Sequence, residues 1–194
     1  MLAKARHYVP RLSLKNIYHA IFSSHLMYGA QVWSTKLLTV TDRVTRLQKS
    51  AMRIMTFSDF RAHSEPLFKK SNILKLDDNI KLTNCLFVYD FLKGNLPISY
   101  NKTFVRLKDT TNCSTRQACT GMLHIPRYKT TNFGLKCIYK RCINSWNQFT
   151  CELNQIEKQK YVNKFKCPDI DLVKFSRESL KKKLISHIIS KYDD

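Results

Sequence analysis

Residues 41–55 read TDRVTRLQKSAMRIM. Wound at about 100° per residue, the segment sets Val44, Leu47, Ala51, Ile54 and Met55 on one side. Arg43, Arg46, Lys49 and Arg53 fall on the other. With Val40, the apolar positions step along a single stripe, which predicts an amphipathic helix from about Thr41 to Phe57. The stripe needs a helical core to cover it. The basic face has two readings, the wet side of an ordinary helix or a row of phosphate contacts, and the local sequence does not choose between them.

Helical periodicity continues on both sides of this segment. From Ser13, a possible N-cap, to Trp33, the residues Leu14, Ile17, Tyr18, Ile21, Phe22, His25 and Tyr28 repeat at helical spacing, and Gly29 weakens the last turn. Ser64 before Glu65-Pro66 is a helix start, because proline loses nothing in a first turn whose N–H groups are unpaired. A further helix is expected from Asp77 or Asp78 to Lys93, stopped by Gly94 and Pro97. Its run CLFVYDFL is apolar almost all round, which suits a central position. Residues 95–130 are rich in Thr, Asn and Ser and read as loop. Beyond them, Leu135, Ile138, Cys142, Trp146 and Phe149 form one stripe. Leu180, Leu184, Ile188 and Tyr192 form another after Ser176 as N-cap. The expected fold is mainly α, a bundle of about five to six helices with a loop-rich middle that has room for one or two short strands. It divides into a helical bundle over 1–94, a linker or lobe boundary over 95–130 and a C-terminal helical region over 131–194.

The 194 residues carry 34 Lys+Arg against 14 Asp+Glu, a formal net charge of +20, with 43% hydrophobic residues to build a core. Such an excess attracts polyanions at long range, nucleic acid first and anionic membrane surfaces second. The N-terminus has no apolar signal region, and no run of about 18 apolar residues occurs. The seven cysteines show no tight framework, so they read as reduced thiols of an intracellular protein, in cytoplasm or nucleus.

Catalytic patterns are weak. Asp77-Asp78 sits at a predicted helix start, where carboxylates suit the dipole, and Asp193-Asp194 ends the chain. Glycines stand at 29, 94, 121 and 134, without the close spacing that a phosphate-cradling loop needs. Cys113, Cys119 and His124, then Cys137 and Cys142, match no standard zinc spacing, and no cofactor is expected. Basic residues interleaved with aromatics carry more information. HIPRYKTTNF offers Arg127 beside Tyr128, and YKRCINSWNQF offers Lys140 and Arg141 before Trp146. The bland alternative places Tyr128 and Trp146 in the core. Arg116 and Arg127, in the loop-rich stretch, are candidate contacts of the same kind.

In order, the phrases IYHAIFSSHLMYGAQVWS, RLQKSAMRIM, AHSEPLFKKSNILKL, NLPIS, STRQ, GLKCIYKRCINSWNQF and SLKKKLISHIISKY resemble the C-terminal part of non-LTR (LINE-type) retrotransposon reverse transcriptases near the jockey and CR1 groups. The resemblance covers nearly the whole chain. It implies the thumb and the helical segment after it, which hold template and primer, RNA or DNA, without strong sequence preference. The family's aromatic-x-Asp-Asp polymerase box, its palm and fingers and its endonuclease are absent here. The resemblance therefore implies a non-catalytic fragment, with Met1 as an internal methionine and the parent's palm and fingers as missing partners. In that setting Arg43, Arg46, Lys49 and Arg53 become phosphate contacts, and no membrane partner is implied. The competing expectation is an inert or interaction-only helical remnant whose apolar faces lack their palm-domain partner. A third holds only if this chain belongs to a longer product, the full polymerase.

Overall fold

The computed structural model describes residues 2–34, 38–97, 103–110, 121–127, 129–130, 137–160 and 171–193, excluding the side chains of 38–40, 157–160 and 193. It is mostly helical, as the periodicities predict. Among the described residues, the only extended pairing in the middle of the chain is an isolated antiparallel bridge between Arg106 and Leu123. The chain forms two compact units, Met1–Ile80 with Ile185–Asp194, and Lys81–Leu184. These divisions fall inside helices and not in the loop-rich stretch that composition marks as a lobe boundary.

The first unit begins with α1 (Leu2–Ala5) and α2 (Arg11–Ile17), the latter entered through Pro10 and not through Ser13. A π-helical turn (Tyr18–Ser23) leads into α3 (Ser24–Met27). The single helix expected up to Trp33 breaks at Tyr28, which is extended, and at Gly29, whose φ of 60° is left-handed. Glycine takes that conformation without a Cβ penalty, and the short α4 (Ala30–Trp33) restarts from it. Then come α5 (Leu38–Thr56), α6 (Glu65–Ser71, with Pro66 in its first turn) and the start of α7 (Leu76–Leu92).

Helix α5 packs against α1, α2 and α6. Its buried residues are Gln48, Ala51, Met52 and Met55, while Val44 is half-buried and Leu47 is 60% exposed. Relative to the predicted stripe, the covered face has turned by about one residue, which exchanges Leu47 for Gln48. Hydrogen bonding explains the exchange. The Gln48 Nε2 donates to the Tyr18 hydroxyl and to the Leu74 carbonyl, each at 3.0 Å, and its Oε1 accepts from the Leu76 amide at 2.9 Å. A buried carboxamide with its donors and acceptor satisfied costs little, and here it also caps the free N–H at the start of α7. Nearby, Ala30, Leu76 and Ile80 form a core cluster covered by Leu26, Met27, Trp33 and Val44. The C-terminal end returns to this unit through Tyr192, whose hydroxyl accepts from the Lys75 amide at 3.0 Å and donates to Asp78 at 2.8 Å. Lys75 lies over the Tyr192 ring and pairs with Glu65. Asp77 and Asp78 thus stand in the first turn of a helix, as expected of them.

In the second unit, α7 supplies Asn84, Cys85, Val88 and Tyr89 as buried residues. Gly94, at a φ of 75°, follows its end. The short α8 (Leu107–Thr110) is followed by the long α9 (Ile138–Lys160), which buries Cys142, Ile143, Trp146, Phe149 and Leu153. Trp146 is fully covered and donates from Nε1 to the Gly121 carbonyl at 3.1 Å. Asn147 accepts from the Leu123 amide at 2.8 Å and donates back to the Leu123 carbonyl at 2.9 Å. Phe104 meets the rings of Phe87, Phe91 and Tyr139 edge-on. The last helix, α10 (Arg177–Ser190), starts with the Ser176 hydroxyl accepting from the Ser179 amide. Arg177 pairs with Asp90 at 3.0 Å.

Replacing Gln48 with Ala strands the buried Tyr18 hydroxyl and Leu76 amide and the partly buried Leu74 carbonyl. Urea unfolding should show a loss of about 2–3 kcal/mol, against about 1 kcal/mol for Tyr18→Phe, which removes one partner only. An unchanged unfolding midpoint for Gln48→Ala refutes the role given to this amide.

Candidate nucleic-acid interface

The rotation of α5 about Gln48 determines where its basic residues go. Arg43 and Arg46 are exposed, while Lys49 and Arg53 are half-buried. Arg43 and Arg46 lie on the side of α5 away from the buried Met52 and Met55, while Lys49 and Arg53 flank it. Their surroundings differ. Arg53 donates from Nε to the Ala62 carbonyl at 2.9 Å, a bond that ties the turn after α5 to the helix. Glu65 is held below the usual carboxylate range, chiefly by its bond to Lys75 and to a lesser degree by the charges of His63 and Lys49. Arg43 and Arg46 are therefore the members of the face whose main business is with solvent.

The other predicted contacts belong to the second unit or fall outside the described residues. Arg127 is exposed, in the irregular segment after Leu123. Lys140 and Arg141 are half-buried in the first turn of α9 and engaged with neighbouring groups. Arg116 and Tyr128 lie outside the described residues. Trp146 is a core residue and offers no face for stacking.

Sequence reading did not foresee a second basic site in the first unit. Arg11 and Lys15, one turn apart on α2, meet Lys70 of α6 at a cleft of about 320 Å³. The i, i+4 spacing of Arg11 and Lys15 is readable from sequence, but the approach of Lys70 comes only with the fold. Next to it, Phe57 lies beneath Arg6 and Arg11, whose guanidinium carbons stand 4.8 and 5.4 Å from the ring centroid.

The described thiols do not gather into a reactive or metal-binding group. Among the described residues, no cluster of three or more His, Cys, Asp or Glu is placed to hold a metal ion. Burial, reinforced by the nearby Cys142, pushes the Cys85 thiol far above its ordinary range, and burial pushes Cys142 up to about 12. Thiols so raised hold almost no thiolate at neutral pH, and thiolate is the reactive form. Cys151 is exposed. Brief iodoacetamide treatment of the folded protein at pH 8, read by mass spectrometry, should modify Cys151 and leave Cys85 and Cys142 intact until denaturant is added. Rapid labelling of Cys85 in the folded state contradicts the packing described above.

No helix among the described residues is long and apolar enough to cross a membrane. Comparison of the chain with protein-family models, with curated proteins and with solved structures gave no match.

Proposed function

We propose that this chain is a non-catalytic nucleic-acid-binding region of the kind found in the thumb and post-polymerase segments of retroelement reverse transcriptases. It grips template–primer backbone without strong sequence preference. The observation that carries the reading is the basic face of α5, where Arg43 and Arg46 project from the side opposite a buried, hydrogen-bonded stripe. Cations held at helical spacing on a rigid element match the phosphates of a polyanion, and binding then follows counterion release. Backbone contacts of this type fix position and carry no base information.

A second reading, an interaction-only helical protein, has its own support. Leu2, Ile17, Ile21, Phe22, Leu47 and Ile54 line an apolar cleft of about 300 Å³ in the first unit, and of these Leu47 and Ile21 are well exposed. Such a face suits a protein partner.

Fluorescence anisotropy against salt separates the two. The double variant Arg43→Glu/Arg46→Glu should weaken binding of unrelated oligonucleotides by the same factor and flatten the log–log salt dependence by about 1 for each phosphate that the variant no longer neutralises. Arg53 is left in place because its bond to Ala62 is structural. Unaltered affinity and slope in the variant remove α5 as the interface. Absence of salt-dependent binding by the unaltered protein, together with self-association, favours the interaction-only reading.

A further inference from the structure

The cleft between α2 and α6 opens beside the C-terminal end of α5, where Leu12, Met55 and Ile73 give it apolar walls. Arg11, Lys15 and Lys70 supply its charge, and no Asp or Glu is among its lining residues. The means by which two of these cations are held matters. Arg11 rests against the Phe57 ring, and the Lys15 Nζ donates to the Ser71 carbonyl at 2.7 Å. A ring face and a carbonyl orient a cation without cancelling its charge, unlike a carboxylate. The cleft thus keeps a positive potential against low-dielectric walls, which is a site for an anion with an apolar body. Phe57 itself has a φ of 56°. That is a strained backbone for a bulky residue, kept at the corner that carries Arg6 and Arg11.

We propose that this cleft receives one unpaired nucleotide of a single-stranded nucleic acid, its phosphate among Arg11, Lys15 and Lys70 and its base against Leu12, Met55 and Ile73. The proposal rests on the nucleic-acid reading of α5 and narrows it from polyanion to single strand. A phosphate alone leaves the apolar walls unused, and a base inside a duplex is already stacked on both faces. The volume is near the lower end of the roughly 300–1,000 Å³ common for small-molecule sites, which suits one nucleotide and not a base pair. Thr56, which also lines the cleft, stands one turn beyond Arg53, so a strand following the basic face of α5 arrives at the opening. Leu12 is 74% exposed and is free to close over a base without displacing core packing.

The test is anisotropy with the whole chain and three probes: a short single strand, the same strand in a blunt duplex, and an abasic sugar–phosphate strand of equal length. The unaltered protein should prefer the single strand over the duplex by roughly tenfold, which is what burying about 60 Å² of base surface against apolar walls supplies. The abasic strand should bind no better than the duplex. Leu12→Glu and Lys70→Ala, both at exposed positions, should each erase the preference and leave duplex affinity unchanged. Equal binding of strand and duplex by the unaltered protein, a preference that survives both substitutions, or full-strength binding of the abasic strand overturns the nucleotide cleft while the α5 reading stands. Displacement of the strand by oleate, where a nucleoside monophosphate has no effect, assigns the cleft to an acyl anion and overturns the proposal as well. If no probe binds in a salt-dependent way, the α5 reading itself fails and takes this one with it.

Discussion

The carboxamide of Gln48 joins three parts of the first unit that are distant in sequence. It reaches Tyr18 at the start of the π-helical turn, Leu74 in the segment after α6, and the amide of Leu76 where α7 begins. Because these groups are buried or partly buried, the amide has to meet all of them in one orientation, and that orientation fixes the rotation of α5 about its own axis. The directions of Arg43 and Arg46 follow from it, as do the exposure of Leu47 and the position of Met55 at the cleft wall. A polar side chain thus specifies the arrangement, and the apolar contacts around it supply most of the stabilisation.

A chain with a net charge of +20 folds against its own repulsion. Several of its few carboxylates are used inside the scaffold: Asp78 accepts from Tyr192, Asp90 holds Arg177, Glu65 holds Lys75, and Asp171 accepts from the Val173 amide. None of these acids lines the α2–α6 cleft, and among the described basic residues of α5 only Lys49 feels one of them, Glu65. The pattern leaves positive charge standing where the fold presents it on helices.

Much of the fold was legible because helical periodicity and helix ends are local properties. Ser176, Gly94 and Pro66 each stand where a cap, a stop or a first turn is expected, and Trp146 and Leu180 are as buried as their stripes require. What was not legible depended on partners. Gln48 counts as polar in any pattern, so its burial and the turn of α5 that goes with it appear only when Tyr18, Leu74 and Leu76 come to meet it. The bend at Tyr28–Gly29 was visible as a weak glycine but not as a full break. For the candidate site, the helical spacing of the four α5 cations was readable, but not that Arg43 and Arg46 stay exposed while Arg53 is tied to Ala62. The cleft could not be read, since Lys15 and Lys70 lie far apart in sequence and the restraints on Arg11 and Lys15 come from an aromatic ring and a carbonyl, neither of which leaves a sequence signature.

The pairing of Asn147 with both backbone groups of Leu123 has a consequence for what this extended segment offers a second molecule. In extended chain, alternate residues point their N–H and C=O groups to opposite edges. Met122 and His124 are bonded on one edge to Leu107 and Val105, and the Leu123 groups on the other edge are taken by a side-chain amide from α9. At its centre, then, the segment has no open edge to offer. A lone extended stretch in a helical protein is ordinarily a template on which a second molecule can add a strand and begin a fibril. Here a single asparagine stands in for the neighbouring strand at Leu123 and occupies the groups that a second molecule would need there.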